Sequence, residues 1–283
     1  MEINNRPADA LPTLIIEADR ASAQYWLDVW RFRELLFFLA WRDLLVRYKQ
    51  TAVGVAWGVI RPMLTMATLT VVFSWIAKLP AEGAAPYPVM VLAAMLPWQF
   101  FANSISDASL SIVGNASLVT KVYFPRFIIP LSSIMVSVAD FLIALMILSL
   151  VMAWYGHSPD GRIVALPLFA VLGFTLSAGV GIWFSSLSVK YRDFRYVIPF
   201  MLQIGLYITP VGFSSGVIPE KWRMLYSLNP MVGVIDGFRW ALLGGTGEIY
   251  WPALFVSMAF AATLAVSGAL YFRRVERSFA DTI

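Results

Sequence analysis

Four stretches of this 283-residue chain contain no charged side chain: Gly83–Ser106, Ile163–Val189, Tyr196–Pro219 and Ile249–Phe272. They run to 24, 27, 24 and 24 residues. A helix needs about 20 apolar residues to cross a bilayer, so each is long enough to span. Two further stretches are less clean. Pro62–Ala77 extends back through Trp57 if Arg61 reaches to the interface, and Phe127–Trp154 carries Asp140 inside it. Composition agrees: only 13% of residues are charged, 59% are hydrophobic, and the mean hydropathy is +0.73. Soluble domains carry about 25% charged residues, so this chain cannot cover a water-exposed globule of its size. The expected fold class is an all-α integral membrane protein with six transmembrane helices, near 57–78, 87–107, 129–154, 164–187, 197–213 and 251–272. The expected division is a cytoplasmic N-terminal segment, 1–54, and a six-span domain, 55–283.

Orientation follows from lysine and arginine, which collect on the cytoplasmic side. With both ends inside, 16 of the 21 fall in inner segments. Both termini are therefore expected in the cytoplasm, and the net charge of +4 is topological. Residues 1–20 have no apolar core, so no cleaved leader is expected there.

Two segments are neither spans nor ordinary loops. In Trp26–Lys49, a helical period puts Trp30, Phe37, Trp41, Leu44 and Tyr48 on one stripe, with Arg42, Asp43, Arg47 and Lys49 on the other side. This predicts an amphipathic helix in the membrane interface, or one packed on a cytosolic partner. Pro210–Gly247 is apolar but broken by three prolines and seven glycines. Its unpaired backbone cannot face lipid, so it is expected as a re-entrant helical pair (214–247) between spans five and six. An ordinary outer loop is the alternative.

Little chemistry is available. The chain has no cysteine and one histidine, which excludes thiolate metal sites and cysteine nucleophiles; no metal site is expected. No Gly-Lys pair exists, so there is no phosphate-binding loop for ATP. Gly212-Phe213-Ser214-Ser215-Gly216 fits the G-x-S-x-G nucleophile pattern, and His157 is predicted on the same side. An intramembrane serine hydrolase needs a strand before that serine, whereas a membrane helix is predicted there. Asp140 and Asp107 would suit ion coupling in a secondary transporter, or else pair with a neighbouring span. Glycines four apart, Gly54/Gly58 and Gly233/Gly237, read as close helix packing.

Several blocks together resemble the membrane subunits of ABC type-2 polysaccharide exporters. They are Arg47-Tyr48-Lys49-Gln50-Thr51 with Gly54, Trp57 and Pro62, then Lys121-Val122-Tyr123-Phe124-Pro125-Arg126. Further on come Tyr191-Arg192-Asp193-Phe194-Arg195 with Pro199, Leu228-Asn229-Pro230-Met231, and Gly237-Phe238-Arg239-Trp240. The resemblance covers about residues 25–275 and is closest to permeases for O-antigen and capsule. It implies a homodimer in the bacterial inner membrane, working with two copies of a separate cytoplasmic ATPase that holds the ATP and magnesium. This chain would then have no catalytic residue and no cofactor of its own. Trp41, Lys121, Tyr123, Phe124, Pro125 and Arg126 would dock the ATPase, although Lys121 and Arg126 also serve the inside charge bias. The implied substrate is a polysaccharide on undecaprenyl pyrophosphate. Its phosphates would meet Arg42, Arg47, Lys49 and Arg61. Trp98, Phe100, Phe101, Tyr207 and Trp240 would stack on sugars, or serve as ordinary interfacial and lipid-facing aromatics. Arg192, Asp193 and Arg195 would form an inner gate or a solvated loop, and Asn229, Pro230 and Arg239 an outer seal. An exporter of drugs, teichoic acid or another lipid is the alternative within the family.

Overall fold

Residues 22–49, 54–81, 85–244 and 249–279 are described by the structure, a computed structural model. Helices account for all regular elements among them. The chain runs α1 (Ser22–Arg31), α2 (Arg33–Lys49), α3 (Gly54–Thr70), α4 (Tyr87–Gly114), α5 (Ala116–Lys121) and α6 (Ile128–Trp154). It continues with α7 (Leu166–Lys190), α8 (Phe194–Ile208), α9 (Glu220–Tyr226), α10 (Pro230–Leu243) and α11 (Trp251–Val275). Residues 1–21, and Gln50 and Thr51 of the motif quoted above, lie outside the described residues.

Local chemistry sets the ends of these helices. Proline sits in the first turn of α4, α7, α10 and α11, where its missing N–H costs nothing. Asn229 caps α10 by accepting the Met231 N–H at 3.1 Å. Gly156 (φ 68°) ends α6, and Gly244 (φ 63°) ends α10. Beyond Thr70, α3 widens into a π-helical turn, Val71–Ile76, closed by Ala77 N–H to Val72 O at 2.9 Å.

The bundle is built around α4, which packs against α7, α6, α10 and α3. Two apolar clusters fill it. One surrounds Val89–Leu96 of α4, with Phe169 and Leu176 of α7 and Val234, Ile235 and Phe238 of α10. The other, toward the α5 end, joins Leu36, Leu39, Ile112, Phe124, Phe127 and Phe272. At the crossing of α7 and α11, a Cβ on Gly179 would sit 2.6 Å from the Ala265 amide nitrogen, so the backbones touch. Gly233 similarly lies against Ala253 and Ser257, and Gly237 against Phe169. The Gly233/Gly237 spacing is therefore close packing, as expected. A Cβ added at Gly58 would meet none of the described residues within 4 Å.

Among the described residues, five helical stretches are long and apolar enough to cross a membrane: Gly58–Ile76, Tyr87–Gly114, Ile128–Trp154, Gly161–Lys190 and Trp251–Ser278. The segment expected as the fifth of six spans, 197–213, holds the end of the 15-residue apolar helix α8 and the loop after it, and α8 alone is not among these five. Fifteen residues rise about 22 Å, short of the ~30 Å hydrocarbon core. The segment expected to be re-entrant contains two short helices, α9 and α10. Of these, α10 is buried against α4, α7 and α11, whereas most of α9 is exposed.

The N-terminal helix also departs from the expected pattern. It breaks at Phe32 into α1 and α2. Leu36 and Leu39 of α2 are buried, and α2 packs on α6, while Phe37, Phe38, Trp41, Leu45 and Val46 stay exposed. Apolar residues thus occupy two sides of α2, and the expected polar side faces the bundle.

Candidate functional site

The second half of α2 carries the densest polar chemistry in the described chain. The Arg47 guanidinium is shared between carboxylates of two different spanning helices. Nη2 donates to Asp107 Oδ2 of α4 at 2.5 Å, and Nη1 to Asp140 Oδ2 of α6 at 2.5 Å. Tyr48 donates its hydroxyl to the other oxygen of Asp140, also at 2.5 Å. Burial first, then Asp140, pushes the Tyr48 hydroxyl up to about 12, so it remains a donor. Arg42 pairs with Asp43 at 2.7 Å and donates to Asn115 Oδ1 at 3.0 Å, at the end of α4. Both membrane aspartates are thus paired with one arginine of α2. Of the four cations expected to meet phosphate, Arg47, Lys49 and Arg61 are exposed, and Arg42 and Arg47 are engaged by side chains of the same chain.

The loop between α5 and α6 presents Lys121, Val122 and Tyr123 to the outside and buries Phe124 and Pro125. Arg126 is tied back to the C-terminal turn. Its backbone N–H donates to Glu276 Oε1 at 3.0 Å, and its guanidinium donates to the Glu276 carbonyl. Tyr25 of α1 donates to the other Glu276 oxygen at 2.5 Å. Burial, and then Glu276, hold the Tyr25 hydroxyl well above its usual range. One carboxylate therefore joins α1, the α5–α6 loop and the end of α11. Trp41 is 61% exposed on the same helix as Arg47.

Other expected site residues fall in four places. Trp98 is buried against Gly205 of α8 and Phe101, and Phe100 lies 5.5 Å from the ring of Phe141 and 6.3 Å from that of Phe174. Trp240 is half-buried, with the Arg162 guanidinium 5.1 Å over its ring. Tyr207 is 60% exposed. Arg192, Asp193 and Arg195 are exposed, and among the described residues no ion pair joins them.

Arg239, by contrast, is only 1% exposed. It donates to the carbonyls of Phe213 at 2.8 Å and Val211 at 3.1 Å, while Tyr87 of α4 donates to that of Gly212 at 2.6 Å. Asn229 also donates to Thr209 Oγ1 at 2.9 Å, so α10 and α4 together clasp the loop after α8. Ser214 lies in this loop and accepts the Gly216 N–H at 3.2 Å. Helix α8, not a strand, precedes it, as expected for a turn rather than a nucleophile elbow.

Sequence reasoning overlooked Tyr25, Asn115, Tyr87 and Glu276. Glu276 had a readable signal: it is the one acid among Arg273, Arg274 and Arg277. The cleft between α3, α4 and α6, lined by apolar groups and Gln99, encloses about 10 Å³, no more than a single water molecule needs.

Several apolar helices long enough to span, with a charged helix held onto two of them, define a polytopic membrane protein. The chain belongs to the ABC-2 type transporter family, whose model matches residues 34–243. It is 29% identical over 252 residues to the O-antigen export system permease protein RfbA of Klebsiella pneumoniae, covering 88% of this chain and 95% of that one. A Myxococcus xanthus protein of the same name is 23% identical over 214 residues, covering 75% of this chain and 81% of its own. The polysialic acid transport protein KpsM of Escherichia coli is 25% identical over 241 residues, covering 83% and 91%.

Proposed function

We propose that this chain is the membrane subunit of an ABC exporter that carries polysaccharide on undecaprenyl pyrophosphate, O-antigen first among the candidates, from the cytoplasm across the inner membrane. The reading is carried by the near end-to-end similarity to O-antigen export permeases, 95% of the Klebsiella protein, together with the family match. The subunit works as a homodimer with two copies of a separate cytoplasmic ATPase. This chain performs no catalysis; ATP and magnesium belong to the partner.

The apolar faces that α3 and α8 leave uncovered, with Leu64 61% and Phe200 63% exposed, are where the second copy packs. In the dimer, α8 and the loop after it form the remaining span, and α9 with α10 the re-entrant element. Both termini stay on the cytoplasmic side, as the lysine and arginine bias requires. The exposed Lys121–Tyr123 tip and Trp41 meet the ATPase. The pyrophosphate meets Lys49 and Arg61 first, since these cations are exposed and, unlike Arg47, not held by the membrane aspartates. The exposed Tyr207 and the half-buried Phe101 and Trp240 give the sugar chain aromatic faces, while the buried Trp98 and Phe100 back the wall behind them. Arg192, Asp193 and Arg195 guard the inner mouth, and Asn229, Pro230 and Arg239 seal the outer one.

Deleting the gene tests the reading. Lipid-linked glycan is expected to accumulate in the cytoplasm, and restoring this chain with its ATPase is expected to return glycan to the surface. Surface glycan at the normal level in the deletion strain would overturn it. Ser214→Ala is expected to leave export unchanged; loss of a lipid-hydrolysing activity in that variant would favour an enzyme instead.

A further inference from the structure

Two aspartates in spanning helices, one from α4 and one from α6, converge on a single arginine that belongs to neither. Carboxylates in a membrane segment are costly unless paired. The pairing is divided evenly, one guanidinium nitrogen to each acid, and Tyr48 supports Asp140 from the next position. Five residues earlier, Arg42 reaches Asn115. So α2 is pinned to α4 at positions 107 and 115, about 12 Å apart along that helix, and two anchors fix tilt as well as position. Apolar packing offers α2 less purchase, since Leu36 and Leu39 alone are buried on it while Phe37, Phe38 and Trp41 are exposed.

We propose that Arg47 is a positioning residue: an ionic latch that holds α2 against α4 and α6, and through α2 sets where Trp41 and Lys49 stand at the inner face. Its role is to the membrane carboxylates and not to substrate phosphate. The two-to-one stoichiometry makes the latch asymmetric. Removing either aspartate leaves a matched pair. Removing the arginine leaves two carboxylates facing each other, and removing both aspartates leaves Arg47 free to reach the interface.

The absence of native cysteine supplies the test. Leu39→Cys, on the buried side of α2, is reacted with the membrane-permeant N-ethylmaleimide in inner-membrane vesicles holding the full chain. Adding Arg47→Gln is expected to speed labelling about tenfold or more, because loss of one partner releases the helix. Asp107→Asn or Asp140→Asn alone is expected to stay within about threefold of the parent, since one charge pair survives. The two together are expected to match Arg47→Gln, which covers the case in which Arg47→Gln fails to reach the membrane. Parental labelling of Arg47→Gln or of the double aspartate variant would overturn the latch, as would a single aspartate variant as open as the double.

The functional half rests on the transport reading. Arg47→Gln is expected to lose glycan export, and Arg47→Asp with Asp140→Arg to regain it, because the swap keeps two acids around one arginine. Full export with an opened α2 would overturn the positioning role. Absence of export in the parent, with the labelling order intact, would overturn the transport reading and leave the latch standing.

Discussion

Helices α3 and α4 are both apolar enough to span a membrane, and they lie side by side, yet their surroundings are opposite. In α4, 72% of the most apolar stretch is buried inside the chain; in α3, with its π-helical extension, 6% is. Hydropathy reports that a helix belongs in a membrane and says nothing about what touches it there. Size does. Helix α4 carries Ala93, Ala94, Ser104 and Ala108 at full burial, which lets α6, α7 and α10 come close. Helix α3 turns Leu64, Val72, Trp75 and Ile76 outward. One helix is the axis of a single chain, and the other is an apolar surface that the chain leaves uncovered.

The largest effects should fall where α10 and α4 clasp the loop after α8. Arg239→Met leaves the carbonyls of Phe213 and Val211 without their donor, at a cost of about 3 kcal/mol or more. The variant is expected to lose most of its folded yield and melting temperature in detergent; an unchanged melting curve would mean the clasp is ornamental. Ala108→Leu comes next. A Cβ on Gly181 of α7 would already stand 3.1 Å from the Ala108 methyl, so three more carbons overpack the contact by about 1–3 kcal/mol. Tyr87→Phe removes one hydrogen bond, to Gly212 O, and is expected to cost about 1 kcal/mol in the same assay.

The contrast also explains what the sequence makes legible. Uncharged runs locate α4, α7, α8 and α11 because lipid forbids charge, and breaks at Pro210, Pro219 and Pro230 locate the irregular segment because proline cannot donate. Neither rule measures depth in the bundle. Trp98 and Phe100 read as sugar-facing aromatics, and within one chain they pack against Gly205, Phe141 and Phe174. Asp140 and Asp107 are legible as groups in need of a partner, but the partner lies 93 and 60 residues away, beyond any periodicity. A helical wheel puts Arg42 and Arg47 on a polar face of α2. Whether that face meets water or carboxylates depends on tertiary placement. Hence the expected amphipathic helix appears as a helix with two apolar sides and a polar edge turned inward.

The smallest effect on the single chain is also the sharpest test of α3. Gly58 has open space where a Cβ would be, so Gly58→Leu is expected to move the chain's own stability by no more than about 0.5 kcal/mol. Small residues four apart nonetheless mark places where helices approach closely in membranes, and Gly54 precedes Gly58 by one such step. If the open face of α3 is where a second copy sits, the bulk added at Gly58 enters that contact and nowhere else. The expected result is unchanged folded yield and melting temperature, with a fall in the dimer fraction by crosslinking in native membranes. A dimer fraction equal to that of the unaltered chain would assign this face to lipid, and the burial difference between α3 and α4 would then separate the inside of the chain from the bilayer alone.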